Sequence, residues 1–234
     1  MTILATKTLK QIVYPTSDGK PMAETDLHRM LMTDLIGTLQ FWFSDRPRVY
    51  VTGNLLLYYV EGDKRRHVSP DVFVAFGVEK KIRDYYLLWQ ERKSPRTIIE
   101  VTSSSTKRED TNKKYLLYRD VLKVREYFMF DPRGDYLKPS LQGFRLRGGD
   151  YVPISLVDGR MPSATLQLHL ERNGHQLRLY DPTTKLWLPT TDERAEQEMQ
   201  RAEDAERARA LLADENASLR RKLEQLLHEK KNGR

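Results

Sequence analysis

The sequence predicts a mixed α/β domain that carries a β meander and ends in a charged helix. Three stretches predict it. Residues 96–132, RTIIEVTSSSTKREDTNKKYLLYRDVLKVREYFMFDP, read in turn as strand, polar turn, helix and strand. Upstream, the segment SPDVFVAFG holds Val72, Phe73, Val74, Ala75 and Phe76 in an uninterrupted apolar run, the pattern of a strand buried on both faces. From Asp192 the chain is dense in both charges and free of Gly and Pro until its last few residues.

Taken in order, residues 1–21 form an irregular arm with a short apolar stretch at Ile12, Val13 and Tyr14. Leu27, Met30, Leu31, Leu35, Leu39 and Trp42 recur at helical spacing, which predicts one amphipathic helix from Ala23 to about Phe43, ended by Asp45-Arg46-Pro47. Val49–Thr52 and Leu55–Val60 are expected strands, broken at Gly53-Asn54. Residues 78–95 are charged and aromatic and read as a loop or short helix. Thr97–Thr102 is the next buried strand. Thr106 and Glu109 fit a capping box, which opens a helix running to about Asp120. Glu126–Asp131 is a strand rich in aromatics. From about residue 136 to 190, turn signals at Gly143, Gly148-Gly149, Asp158-Gly159, Asn173-Gly174 and Asp181-Pro182 mark the meander. In the tail, Leu212, Asn216, Leu219, Leu223 and Leu226 follow alternating spacings of four and three. That is a coiled-coil seam with Asn216 at an a position; its earlier positions, Ala195, Ala202, Ala205 and Arg209, are weak. The expected domains are therefore 1–190, with the β-rich extension from about 136, and 191–234 as a candidate coiled coil.

Net charge is +7 and the tail is roughly neutral, so the excess of basic residues lies in the first 190 positions and favours a polyanionic partner. The chain has no cysteine. Thiol nucleophiles, zinc–cysteine sites and disulfides are excluded, and a cytoplasmic setting is expected. No stretch approaches the length of a membrane span. The histidines show no zinc-type helical spacing and read as incidental. The serines at 103–105 lack a Gly-x-Ser-x-Gly elbow, and no Gly-rich phosphate loop is present.

Two acids carry the functional reading. Glu100 interrupts the apolar run Ile98-Ile99-Glu100-Val101, where burial disfavours its charge unless a metal, a lysine or an amide compensates it. Asp71 opens the upstream buried strand. If the two strands are neighbours, both acids can meet at one end of the sheet, where hard oxygen donors select Mg²⁺ or Mn²⁺. On the following helix Asp110, Lys114 and Tyr118 are spaced by four and share a face. Lys114 could face the acids and offset developing charge, with Lys113 and Lys107 as rivals. Tyr118 could hold Lys114 or a phosphate, and Asp110 could orient the lysine or bind metal. Two acids and a lysine are the parts a metal-dependent phosphodiesterase needs. The runs Lys64-Arg65-Arg66 and Lys80-Lys81 with Arg83 could track a nucleic-acid backbone or lie on solvated turns. Tyr85, Tyr86 and Trp89 could stack on bases or pack in the core.

At these residues the chain resembles the Uma2 family of the PD-(D/E)xK nuclease superfamily. The matching segments are Ser69-Pro70-Asp71-Val72, Ile99-Glu100-Val101-Thr102-Ser103, Ser105-Thr106 with Asp110-x-x-x-Lys114-x-x-x-Tyr118, and Glu126-Tyr127-Phe128 closing in Asp131-Pro132. Together they cover roughly residues 22–140. The resemblance implies a restriction-endonuclease-like core, α-β-β-β-α-β around a mixed sheet, with Asp71 and Glu100 as metal ligands, the carbonyl of Val101 as a third donor and Glu24 as a helix carboxylate. The superfamily lysine usually follows the glutamate by two residues. Thr102 stands there in this chain, and the resemblance moves the lysine role to Lys114. The expected activity is Mg²⁺-dependent (or Mn²⁺-dependent) hydrolysis of DNA phosphodiesters by a homodimer or higher oligomer. The alternative is a catalytically silent nuclease fold that binds DNA or a protein.

Overall fold

The computed structural model describes residues 13–17, 25–103 and 109–232. The chain divides into two compact units between Leu188 and Pro189. Helix α1 (Asp26–Trp42) starts three residues after the expected position, where Thr25 caps it by accepting the His28 N–H at 3.2 Å. Its periodic face buries Leu31, Met32, Leu35 and Leu39.

The central sheet has six strands: β1 (Val49–Thr52), β4 (Val72–Phe76), β6 (Thr97–Val101), β7 (Glu126–Phe130), β8 (Leu141–Arg147) and β9 (Asp150–Pro153), ordered β1-β4-β6-β7-β8-β9. Within this sheet, among the described residues, β6 and β7 run parallel and the other neighbouring pairs run antiparallel. Two π-helical turns, Glu109–Lys114 and Leu117–Val121, supply the crossover between the parallel pair. Taken as α1, β1, β4, β6, helical crossover and β7, the chain has the restriction-endonuclease-like element order.

Strand alternation builds two cores. Val49, Val51, Val72, Val74, Ile99, Val101, Phe128 and Phe130 face α1 and a second sheet. That sheet is β10 (Met161–Ser163), β11 (Leu168–Asn173), β12 (Gln176–Asp181) and β13 (Leu186–Trp187). On the other face Tyr50, Phe73, Ala75, Ile98, Tyr127 and Met129 pack beneath Tyr118, Leu122 and Val124. Beside them lies a three-stranded sheet of β2 (Leu57–Tyr58), β3 (His67–Val68) and β5 (Tyr86–Leu87), with the short helix α2 (Leu88–Glu91) after it.

Four expectations change. The strand expected over Leu55–Val60 shrinks to β2, because Val60 already begins the turn that returns at Asp63. The aromatic run 78–95 holds the expected short helix, α2, but also the strand β5, and Tyr86 is core, packed on Tyr50 and Phe73. The crossover is π-wound rather than α-helical; its expected cap, Thr106, lies outside the described residues. The single meander of 136–190 is divided, with β8 and β9 joining the central sheet and β10–β13 forming their own. Turn residues set where strands end, not which sheet they join.

Glu126 ties these layers together. Its carboxylate accepts from Ser163 Oγ (2.6 Å), Thr165 N (3.0 Å), Ala164 N (3.0 Å) and Arg145 Nε (2.8 Å). Burial works to raise its pKa, but the bonds from Ser163, Thr165 and Arg145 outweigh that and hold it below the ordinary carboxylate range. Such an acid stabilises the fold above its unfolded pKa and stops doing so as pH falls through the lower folded value. The fold should therefore lose stability below about pH 4.5. Glu126→Gln should cost about 1–3 kcal/mol at neutral pH and show a shallower acid loss in urea titrations. Equal acid slopes for variant and wild type would remove Glu126 from the account.

The second unit is α3 (Thr191–Asn232), a helix of 42 residues. Thr190 and Glu193 bond each other reciprocally at its start, through Thr190 N to Glu193 Oε2 at 2.9 Å and Glu193 N to Thr190 Oγ1 at 3.2 Å. Leu212, Leu219 and Leu223 are exposed on this unit. No helix among the described residues is long and apolar enough to cross a membrane.

Candidate active site

The register that pairs Val72 with Ile99 brings Asp71 opposite Glu100, where β4 begins and β6 ends. Glu100 faces the core beneath the helical crossover and is wholly buried. Its Oε1 accepts the Tyr118 hydroxyl at 2.6 Å. Its Oε2 accepts Lys114 Nζ at 2.9 Å and the Asp71 N–H at 3.3 Å. Asp71 returns the contact: its Oδ2 accepts the Val101 N–H at 2.8 Å. Lys114 also meets Asp110 Oδ1 at 3.1 Å, and the Asp110 carbonyl accepts the Tyr127 hydroxyl at 3.1 Å. The wide π turns keep Asp110, Lys114 and Tyr118 on the face that looks at Glu100. Such turns recur at functional sites.

Three carboxylates thus surround one ammonium. Burial pushes the Glu100 pKa well above the usual carboxylate range; Lys114 opposes this, while Asp71 and Asp110 add to it. Asp71 also feels burial, but His28, Lys114 and the Val101 N–H prevail and its pKa falls. Burial would lower the Lys114 pKa, yet Glu100, Asp110 and Asp71 raise it, so the ammonium stays protonated. Tyr118 is raised, chiefly by burial, and remains a phenol donor. The Asp71 and Lys114 side chains keep 16% and 13% of their surface exposed, so the corner is reachable from solvent.

This donor set fits a hard divalent cation. Among the described residues no group of three or more His, Cys, Asp or Glu is placed to hold a metal. Two carboxylates plus carbonyl and water oxygens suffice for Mg²⁺, which keeps much of its hydration shell. Val101 turns its N–H to Asp71. In an extended strand the carbonyl of a residue faces the same side as its N–H, so the Val101 carbonyl is directed to this corner. Each carboxylate oxygen has two lone pairs, so the bonds to Lys114 and Tyr118 leave acceptor capacity on Glu100.

Of the residues singled out from sequence, Asp71, Glu100, Val101, Asp110, Lys114 and Tyr118 come together. Lys113 is exposed and off the site. Glu24 and Lys107 lie outside the described residues. Thr102, at the usual lysine position, is buried with its hydroxyl bonded to Tyr136. Two of the basic residues read as tracking a nucleic-acid backbone or lying on solvated turns do neither and make contacts within the fold. Lys80 donates to the Phe43 and Ser44 carbonyls behind α1, and Arg83 pairs with Glu91 at 2.7 Å and lies over the Tyr50 ring.

Two residues went unrecognised in the sequence. His28, read as incidental, places Nε2 3.5 Å from Asp71 Oδ1. Gly53 approaches the Asp71 backbone so closely that a Cβ there would fall 1.9 Å from the Asp71 carbonyl oxygen. Its neighbour Asn54 then donates N–H to the Pro70 carbonyl at 2.8 Å and fixes the turn that carries Asp71. The Gly-Asn break was visible; its partner, some 18 positions on, was not.

Fold and acidic corner define a restriction-endonuclease-like α/β protein. The chain belongs to the Uma2 family, whose model, described as "Putative restriction endonuclease", matches residues 7–195. A solved structure from Anabaena variabilis ATCC 29413, described as a "putative nuclease belonging to DUF820", is 16% identical with a TM-score of 0.48, over 67% of this chain and 83% of that one. Comparison with curated proteins gives no match.

Proposed function

We propose that this protein is a Mg²⁺-dependent endonuclease that hydrolyses phosphodiester bonds in DNA. The observation that supports it most is the pairing of Asp71 with Glu100 across adjacent strands, with Lys114 in hydrogen-bond contact. Asp71, Glu100 and the Val101 carbonyl would hold the ion. When bound, the ion supplies Lewis-acid charge and makes a water nucleophilic near neutral pH. Lys114 presents a fixed positive charge at the rim of the corner, where the negative charge of a cleaved phosphate grows. Asp110 positions that ammonium, Tyr118 holds the Glu100 carboxylate, and His28 and the Val101 N–H orient Asp71. The basic balance of the chain favours a DNA partner, with exposed Lys64 and Lys81 available to phosphates.

A second reading draws support from Thr102 at the usual lysine position and from Lys114 bonding to Glu100 and Asp110. In it the corner is silent and the fold only binds DNA or a protein. Plasmid nicking separates the two. Wild-type protein is expected to cut with Mg²⁺ while Asp71→Asn does not. Equal DNA retardation by both, with no cutting by either, would select the silent module.

For assembly we propose that α3 pairs with a second copy of itself. The exposed Leu212, Leu219 and Leu223 follow the seam spacing around Asn216. Leu219→Lys with Leu223→Lys, or removal of residues 191–234, should reduce the mass in light scattering to that of one chain. An unchanged mass in both would refute the pairing.

A further inference from the structure

At the other end of the parallel strands lies a cavity of about 690 Å³ that the catalytic reading does not use. Arg96 precedes β6, Lys123 and Arg125 precede β7, and Arg46 follows α1; all four line it. Glu100 lies near the opposite end of β6, and four residue steps along that strand separate the two sites by roughly 13 Å.

The charge of this cavity is one-sided. Its only carboxylate among the lining residues is Glu126, and that group is spent. Arg145 pairs with it at 2.7 Å, and Ser163, Ala164 and Thr165 fill its remaining acceptor positions. Among the described residues no carboxylate makes an ion pair with Arg46, Arg96, Lys123 or Arg125. Two of the four are held in place by neutral partners. Arg46 donates to Gln167 at 2.9 Å, and Arg96 lies over the Phe76 ring at 5.0 Å. Lys123 sits at φ 51°, a left-handed backbone that non-glycine residues rarely adopt, at the reversal that leads into β7. Phe76 and Leu146 add apolar wall.

Four cations around a concave space, three of them without a carboxylate partner among the described residues and Lys123 with only the field of Asp120 nearby, match a ligand with three or four clustered negative charges. The volume suits a small molecule. A duplex instead makes its phosphate contacts along an extended surface. We infer that this cavity binds the polyphosphate group of a small molecule, of the nucleoside di- or triphosphate class. The inference is independent of the proposed nuclease activity, because it uses none of the residues at the acidic corner.

The test is titration calorimetry on the full chain in EDTA, with inorganic triphosphate, ATP and a short DNA duplex as separate probes. Triphosphate and ATP should bind wild-type protein in the micromolar range. Arg96→Gln with Arg125→Gln should weaken both by about tenfold or more, as should Lys123→Gln with Arg125→Gln, a second pair on exposed positions. Asp71→Asn should leave the binding unchanged. ATP binding more tightly than triphosphate would support the inference with a nucleoside as the source, and equal affinities would support it with a free polyphosphate. Absence of binding by either probe up to about 1 mM, or affinities indifferent to both double substitutions in folded protein, would overturn it. So would duplex DNA that displaces ATP from wild-type protein and loses its own affinity with the same substitutions.

Discussion

Glu100→Gln is expected to reduce Mg²⁺-dependent plasmid cleavage by about three orders of magnitude, which corresponds to about 4 kcal/mol of transition-state stabilisation. The substitution keeps shape and removes charge. Glutamine can still accept from the Tyr118 hydroxyl, and the strand on either side is buried and tightly paired, so the fold should survive. What disappears is the anionic donor opposite Asp71. DNA affinity in the absence of metal should change little, because the acid is wholly buried and its one basic contact among the described residues is the largely buried Lys114. Cleavage assayed over a range of Mg²⁺ concentrations checks this. Wild-type rates in the variant would take the acid out of the chemistry.

Lys114→Met should have the largest effect on stability. The ammonium compensates Glu100 and Asp110, both buried, and its removal leaves two carboxyl groups without their counter-charge. Breaking one side of a buried ion pair costs about 3 kcal/mol or more, a fall in melting temperature of roughly 6–12 °C for a chain of this size. The same variant should be inactive in cleavage. Two controls make the origin of the loss visible. Lys114→Met combined with Glu100→Gln should be less destabilised than the sum of the single changes, by about 2 kcal/mol. Added Mn²⁺ should stabilise the lysine variant more than the wild type, since a divalent ion can replace the missing positive charge. Strict additivity and no response to Mn²⁺ would assign Lys114 to the surface.

Much of this corner was legible in the sequence because its signals are local. An acid inside Ile98-Ile99-Glu100-Val101 needs a partner wherever the strand lies, and an apolar run such as Val72–Phe76 must be covered on both faces. The spacing of Asp110, Lys114 and Tyr118 put them on one face under either helical winding. The π turns were not legible, since residues 109–121 carry no Gly or Pro to mark a change of winding. His28 and Asp71 lie 43 positions apart, and only the approach of α1 to the sheet corner relates them. Lys80 and Arg83 looked like solvent-facing charge because a sequence does not reveal that carbonyls and a tyrosine ring wait within reach. In residues 136–190 the turns were readable, but sheet membership depended on pairings such as Phe128 with Gly143, set by close packing.

If the corner is catalytic, Asp71 and Glu100 share one divalent ion. Anomalous diffraction from a crystal soaked in Mn²⁺ tests it most directly. One strong peak should lie in contact with both carboxylates and the Val101 carbonyl, and it should be lost in Asp71→Asn crystals. At saturating Mn²⁺, a corner without such a peak, with Lys114 still bridging Glu100 and Asp110, would contradict a shared ion.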